Sequence, residues 1–250
     1  LYGINKLKVN CILKIDNMEG NMNVYEIDLK VYLLKDIPKE DTLKEIANII
    51  DLSFLRIQEM KDYHKLAKFK NYVFNSFYPL ESSIYKSENI YSIKIRVLGD
   101  SLNSYFKENL PGLRNEAIQV LTAKSNLLRK KHILEIYSIT PAVCKFDNGY
   151  WKEHETFEAF EKRIKENAIK KYNFFYSTKL NEDFDFIKKI DFKNRTPIGT
   201  KYKGITLLGD KVQIELEDNE FAQKLGWIIF STGLLELGAR GFGYVNAKFI

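Results

Sequence analysis

Apolar and polar residues alternate along NVYEIDLKVYLL, with Val24, Ile27, Leu29, Val31 and Leu33 at mostly alternate positions, which predicts a strand over 23–34. After Pro38, Thr42 and Glu45 stand at capping-box spacing. Leu43, Ile46, Ala47, Ile50 and Ile57 then recur at helical spacing, so a helix is predicted to about Met60. FKNYVFNSFYP (69–79) reads as a strand by composition, and NIYSIKIRVL (89–98) alternates cleanly, the pair forming a hairpin around the polar SENI turn. DSLNSYFKENL is a short amphipathic helix closed by Pro111-Gly112, and EAIQVLTAK is a further strand. The order is β-α-β-β-α-β, a ferredoxin-like unit.

The pattern then repeats with additions. HILEIYSIT is a strand, Pro141 bends the chain, and the stretch from His154 to Tyr176 is the longest helix, with Phe157, Phe160 and Ile164 on one face. Strands follow at IKKIDFK, GTKYKGITLLG and KVQIELE, the last two meeting at Gly209-Asp210, a hairpin-turn dipeptide. Asp218 is placed as the cap of a helix whose buried stripe is Phe221, Leu225 and Ile228, and YVNAKFI is the last strand. The fold class is therefore α+β, two tandem ferredoxin-like (RRM-like) sandwiches over 22–128 and 129–250, joined by the basic link Arg129-Lys130-Lys131. Residues 1–21 precede Met22 and are expected to be an upstream extension, with an extra edge strand as the competing reading.

Composition narrows the function classes. An apolar fraction of 45% supports packed cores and argues against disorder. The formal charge of +6 favours a polyanionic partner, although many basic proteins bind none. Cys11 and Cys144 are far apart, without zinc-site spacing, and read as small buried hydrophobes in a reducing cytoplasm. No apolar run reaches membrane-span length, and Lys6, Lys8 and Lys14 interrupt the opening segment, so neither a membrane segment nor a signal peptide is expected.

The densest chemistry lies in GLLELGARGFG, where Gly233, Gly238, Gly241 and Gly243 crowd around Arg240. Glycines permit backbone amides to face outward in a concave array that attracts phosphate, and Arg240 adds a guanidinium suited to the same group. The competing reading is a tight helix-to-strand connection in which glycine only permits positive φ.

This loop and its setting resemble the C-terminal signature of the CRISPR-associated endoribonucleases that process repeat transcripts, a family built from ferredoxin-like domains. The family pattern is Gly-hydrophobic-Gly, five residues with a basic one, then Gly-hydrophobic-Gly. Gly233-Leu234-Leu235, Glu236 to Arg240 and Gly241-Phe242-Gly243 fill it here, with Leu235 departing from the family glycine. SITPAVCKF, YKGITLLG and FKNYVFNSFYP are similar to further family segments, so the resemblance covers most of Met22 to Ile250.

The resemblance implies an endoribonuclease that binds and cleaves CRISPR repeat RNA, leaving a 2′,3′-cyclic phosphate and a 5′-hydroxyl. With no H-E-x-x-H or Walker loop and its acids dispersed along the chain, the chemistry is expected to need no metal or other cofactor, and the lone thiols place the protein in the cytoplasm. Such cleavage needs a base near the 2′-hydroxyl, an acid near the leaving oxygen and a cation at the phosphate. Of three histidines, His64 lies in the helix-to-strand segment where the family carries its proton-transfer histidine, and Lys70 follows at the spacing of a family lysine. Ile49 and Ile50 stand where some members have a tyrosine. His132 beside the basic link is read as a phosphate contact, and His154 as a surface residue. Lys68, Lys70, Tyr72 and Phe74 alternate along one strand face that would stack on bases, unless Tyr72 and Phe74 are core.

RNA contact is thus assigned to Gly233, Gly238, Arg240, Gly241, Gly243, Lys68, Arg129, Lys130 and Lys131, and catalysis to His64 and Lys70, with no metal ligands. Glu182, Asp183 and Asp185 read as a polar connection. Other CRISPR effector subunits and a second copy of the chain are further expected partners. The alternatives are a non-cleaving repeat-RNA binder or assembly subunit, and a tandem ferredoxin-like protein for a small ligand.

Overall fold

The computed structural model describes residues 22–65, 69–202 and 204–250. Residues 1–21, with Cys11, lie outside the described residues, as does Lys68. In chain order the strands are β1 (Val24–Leu33), β2 (Ile37–Pro38), β3 (Tyr72–Phe74), β4 (Ile84–Tyr85), β5 (Ile90–Leu98), β6 (Ile118–Leu128), β7 (Ile133–Ser138), β8 (Ile187–Phe192), β9 (Ile198–Tyr202), β10 (Ile205–Gly209), β11 (Val212–Leu216) and β12 (Val245–Phe249). The helices are α1 (Thr42–Phe54), α2 (Gln58–Lys65), α3 (Asp100–Asn109), α4 (Trp151–His154), α5 (Phe157–Tyr176) and α6 (Glu220–Thr232).

One four-stranded sheet runs in the order β3-β5-β1-β6 and another in the order β12-β7-β11-β8. Each follows one plan: the first and third long strands of the repeat are central, and the fourth lies beside the first. That is the ferredoxin-like arrangement, reached twice. By compactness the chain divides into two units, one of Ser76–Leu128 with the residues before Tyr72, the other of Tyr72–Asn75 with Arg129–Ile250.

Alternation on β1 explains the first sheet. Val24, Ile27, Leu29, Val31 and Leu33 are all buried, and β1 pairs antiparallel with β5 from Val24↔Leu98 to Tyr32↔Ile90. A slip of one residue would turn this whole set to the opposite face, so burial fixes the register. Ile46, Ile49, Ile50 and Phe54 of α1 and Leu102 and Phe106 of α3 complete that core. In the second unit, Phe160, Ile164, Ala168 and Phe175 of α5 and Leu225, Ile228 and Ile229 of α6 are buried above Ile133, Ile136 and Ile214 of the sheet.

Several local expectations are corrected. The single helix to Met60 is two helices. Leu55 and Ile57 continue the apolar pattern but are 51% and 40% exposed, and the amides of Leu55 and Arg56 close α1 with short bonds to Leu52 and Ser53. Thr42 is the first residue of α1, where it donates its hydroxyl to Pro38 O at 3.5 Å, so no capping box forms. The long helix predicted from His154 begins at Phe157, with α4 separate, and Phe157 is exposed. Only Tyr72–Phe74 of the stretch 69–79 is strand, with Tyr78 forming an isolated bridge to Ser92.

GTKYKGITLLG is a hairpin in itself: β9 pairs β10, and β11 instead pairs β7 and β8. Gly209-Asp210 is therefore no hairpin turn. Asp210 is buried and bridges Ala142 through its backbone, which takes it out of the exposed turn position. The α6 cap is Asn219, whose side chain accepts from Ala222 N at 2.9 Å, and not Asp218. Among the described residues, no helix is long and apolar enough to cross a membrane.

Candidate functional site

In the first unit, α1 and α2 run back against each other through the turn at Leu55–Ile57. Asp51 and Phe54 are three residues apart on α1 and share a face. His64, in the last turn of α2, meets both. Its Nδ1 is 3.6 Å from Asp51 Oδ1, both side chains being about a quarter exposed, and its ring lies 5.8 Å from that of Phe54. Its neighbour Tyr63 is fully buried and donates its hydroxyl to Asn71 Oδ1 at 2.8 Å, which ties α2 to the segment that follows.

Lys70 comes back to the same helix end. Its ammonium donates to the carbonyls of Tyr63 and His64, the latter at 3.3 Å, and sits 4.4 Å from the centre of the Tyr63 ring. A cation on the last-turn carbonyls of a helix is favoured by both hydrogen bonding and the helix dipole. His64 and Lys70, six residues apart in sequence, are thus brought together. Tyr72 and Phe74 are 1% and 0% exposed, so they are core and do not present a stacking surface.

In the second unit, the glycine segment follows α6 directly. It contains the 3-10 turn Gly238–Arg240, with Arg240 half-buried, and its φ angles are positive at Gly233, Gly241 and Gly243 and also at Leu235 (60°) and Leu237 (64°). Its amides are largely turned inward. Leu234 N donates to Gly243 O, Gly243 N to Pro141 O, Gly241 N to Gly238 O, Arg240 N to Leu237 O and Tyr244 N to Thr140 Oγ1, all at 2.8–2.9 Å. The outward-facing array expected of this loop is not built from these groups. The glycines serve close packing instead: a Cβ on Gly238 would lie 2.3 Å from Thr232 O, and one on Gly243 2.1 Å from Leu234 O.

Two residues of α5 hold this segment. Lys171 is buried and donates to Gly233 O at 2.6 Å and Leu235 O at 2.8 Å; burial drives its ammonium down to about 7 against the upward pull of Glu236. Arg163 forks onto Glu236 Oε1 at 3.1 and 2.8 Å. Sequence reading missed Lys171, yet a signal was there. Ile164, Ala168, Lys171 and Phe175 fall at helical spacing on one buried stripe, and a lysine in that stripe marks a buried charge with a partner.

The same unit holds a second polar centre that sequence reading also missed. Asp210 accepts from Tyr150 Oη, Trp151 Nε1, Lys152 Nζ and Asn194 Nδ2, all at 2.8–2.9 Å. Burial works to raise its carboxyl, but bonds from Lys152, Trp151, Asn194 and Tyr150 outweigh that and hold it below the usual carboxylate range. Cys144 is buried, and burial pushes its thiol up to about 12.

Arg129, Lys130 and Lys131 are exposed between β6 and β7. Although the Lys130 side chain is exposed, partial desolvation of its ammonium against the surrounding chain, then the charge of Lys224, lowers it from its ordinary value. His132 is half-buried, 3.5 Å from Asp218 Oδ1, and His154 is exposed beside Glu153. Glu182, Asp183 and Asp185 occupy the exposed connection from α5 to β8, where Lys165 donates to Glu182 O at 2.8 Å.

The fold is shared with solved structures. One described as CRISPR associated protein Cas6 aligns with a TM-score of 0.66 at 18% identity, over 90% of this chain and 99% of the other. One described as a RAMP protein binding different RNA substrates aligns at 0.67 and 17%, over 91% and 100%. A Cas6-related gene product from Pyrococcus furiosus aligns at 0.60 and 16%, over 90% and 98%. No curated protein sequence matches the chain. The family model for CRISPR associated protein Cas6, C-terminal, matches residues 122–247. That match takes in the Asp210 centre, the α5 pins and the whole glycine segment, half of the chain's 250 residues, and the chain belongs to this Cas6 family.

Proposed function

We propose that this protein binds CRISPR repeat RNA and cleaves it once per repeat by a metal-independent transesterification. The observation that carries the reading is the Cas6 family match over residues 122–247, in a chain whose two halves both follow the ferredoxin-like plan. Structures sharing this fold include one described as a Cas6 product complex and one as a Cas6 substrate-mimic complex.

In this reaction RNA supplies its own nucleophile. His64 takes the 2′-hydroxyl proton, the O2′–P bond forms as the P–O5′ bond breaks, the leaving oxygen takes a proton from water, and the His64 imidazolium returns its proton to solvent. The products are a 2′,3′-cyclic phosphate upstream and a 5′-hydroxyl downstream. Lys70, whose ammonium is fixed on the His64 carbonyl, supplies positive charge beside the reacting phosphate. Arg240, with Lys68, Arg129, Lys130 and Lys131, contacts the RNA backbone, and Gly233, Gly238, Gly241 and Gly243 give the segment that carries Arg240 its shape. Since the amides of Leu234, Arg240, Gly241 and Gly243 are internally bonded, the glycine segment acts through its shape and through Arg240 more than through a cradle of amides.

The test is cleavage of repeat RNA in EDTA. A cyclic-phosphate product is expected, and a single 2′-deoxy substitution at the cut site should abolish it. His64→Ala should lower the rate about 10²–10⁴-fold with RNA affinity retained. Undiminished cleavage by that variant would remove His64 from the mechanism, and RNA binding with no product at all would leave a binder in place of a nuclease.

A further inference from the structure

The pairing of His64 with a carboxylate from the preceding helix reaches past the family reading. We propose that Asp51 is a positioning residue that faces His64 Nδ1, fixes the neutral imidazole as the Nδ1–H tautomer and so reserves Nε2 for proton transfer. The proposal rests on the reading of His64 as the proton-transfer group, but its geometry does not.

Three observations support it. The Nδ1–Oδ1 separation is 3.6 Å, an ion-pair distance a few tenths beyond a hydrogen bond, so a small rotation closes it. Phe54, one turn along α1 from Asp51 and fully buried, lies against the imidazole and limits how far the ring swings. Finally, α2 is anchored at both sides of His64: Tyr63 bonds Asn71, and Lys70 bonds the His64 carbonyl. The imidazole is therefore carried on a fixed backbone, with a carboxylate on one nitrogen and the other nitrogen opposite.

The charged groups facing the imidazole segment act in opposite senses. Asp51, from α1, favours the imidazolium, whereas Lys70, from the segment after α2, opposes it. Lys70 is engaged with backbone carbonyls, and Asp51 faces the ring itself. In the reaction the proton arrives at Nε2, and the Asp51 carboxylate stabilises the resulting charge through Nδ1–H.

The experiment is imidazole NMR on the full-length protein. With three histidines, His64→Gln assigns the His64 signal by its loss. Long-range ¹H–¹⁵N correlations on the wild type at high pH should show the Nδ1–H tautomer, the minor form of a free histidine. A dominant Nε2–H form would overturn the proposal without any variant. Asp51→Asn, nearly isosteric, should lower the His64 titration midpoint by about 0.5–1 unit, the low end expected for a partly exposed charge pair. An unmoved midpoint in the folded variant would also overturn it.

Kinetics then separate positioning from folding. Asp51→Asn should lower the single-turnover cleavage rate about 10-fold or more with RNA affinity unchanged, and shift the acidic limb of the pH–rate profile down with the NMR midpoint. Asp51→Glu should recover part of the rate. If His64→Ala cleaves normally, the functional reading fails while the NMR result stands; if the NMR result fails, Asp51 loses its role while His64 keeps its own.

Discussion

Lys171 Nζ donates to Leu235 O across 2.8 Å, joining a buried ammonium to the carbonyl of a leucine held at φ 60°. A β-carbon disfavours that backbone region, and the family pattern has glycine at this position. The second bond, to Gly233 O, brackets Leu234 between two pinned carbonyls. The left-handed turn is thus held from α5, which explains how a leucine replaces the glycine without unwinding the loop.

The lysine sets a slope of stability with pH. Burial lowers Lys171 to about 7 from an ordinary value of 10.5. Between these two values the unfolded chain holds more protons than the folded one, so this group makes stability rise with pH across that window and contributes no slope below it. Lys171→Met should flatten the rise. Urea unfolding of wild type and variant at pH 6, 8 and 9.5 measures the difference; parallel curves would show that Lys171 carries no such linkage.

Glycine at 243 is a packing requirement. An alanine there would place Cβ 2.1 Å from Leu234 O at a φ of +66°, adding overlap with backbone to conformational strain. Gly243→Ala should lose about 3 kcal/mol or more, since neither rigid partner can retreat cheaply. At Gly149 the φ is also positive but nothing lies within 4 Å of the added carbon, so Gly149→Ala should lose only about 1 kcal/mol. Chemical denaturation of the two variants separates steric from dihedral effects.

These features divide cleanly by what a sequence displays. Alternation in β1 and β5 and the stripes of α5 and α6 placed both sheets and their covering helices, because burial on one face leaves a periodic trace. Asp210 left none: Tyr150, Trp151, Lys152 and Asn194 converge on it from up to 60 positions away. The Gly209-Asp210 dipeptide misled because local turn preference yields to a buried hydrogen-bond centre. Asp51 was hidden for another reason, since the break after α1 that folds His64 back onto it occurs inside a continuous apolar pattern.

Asp210 should govern resistance to acid. Its folded carboxyl lies below its unfolded value, so its contribution is present above the ordinary 3.8 and is lost as pH falls through the lower folded value. Asp210→Asn should lose about 1–3 kcal/mol at neutral pH, because the part-exposed ammonium of Lys152 and three further donors lose their buried charged acceptor. It should also reduce the acid-side slope of stability below pH 4. A variant as stable as wild type, with an unchanged acid limb, would show that the four donors find equal partners elsewhere.

The link between β6 and β7 offers a test of RNA contact that needs no cleavage. Arg129, Lys130 and Lys131 are exposed cations in succession, and a cation that neutralises a phosphate releases a bound counterion. On a single strand each such contact contributes about 0.7 to the slope of log affinity against log salt. Replacing all three by glutamine should therefore reduce the slope by about 2 and weaken binding most at low salt. Because the side chains are surface groups between strands, stability should change by about 0.5 kcal/mol or less. Fluorescence anisotropy with labelled repeat RNA over 50–300 mM salt reads the slope directly, and an unchanged slope would place the RNA path elsewhere on the chain.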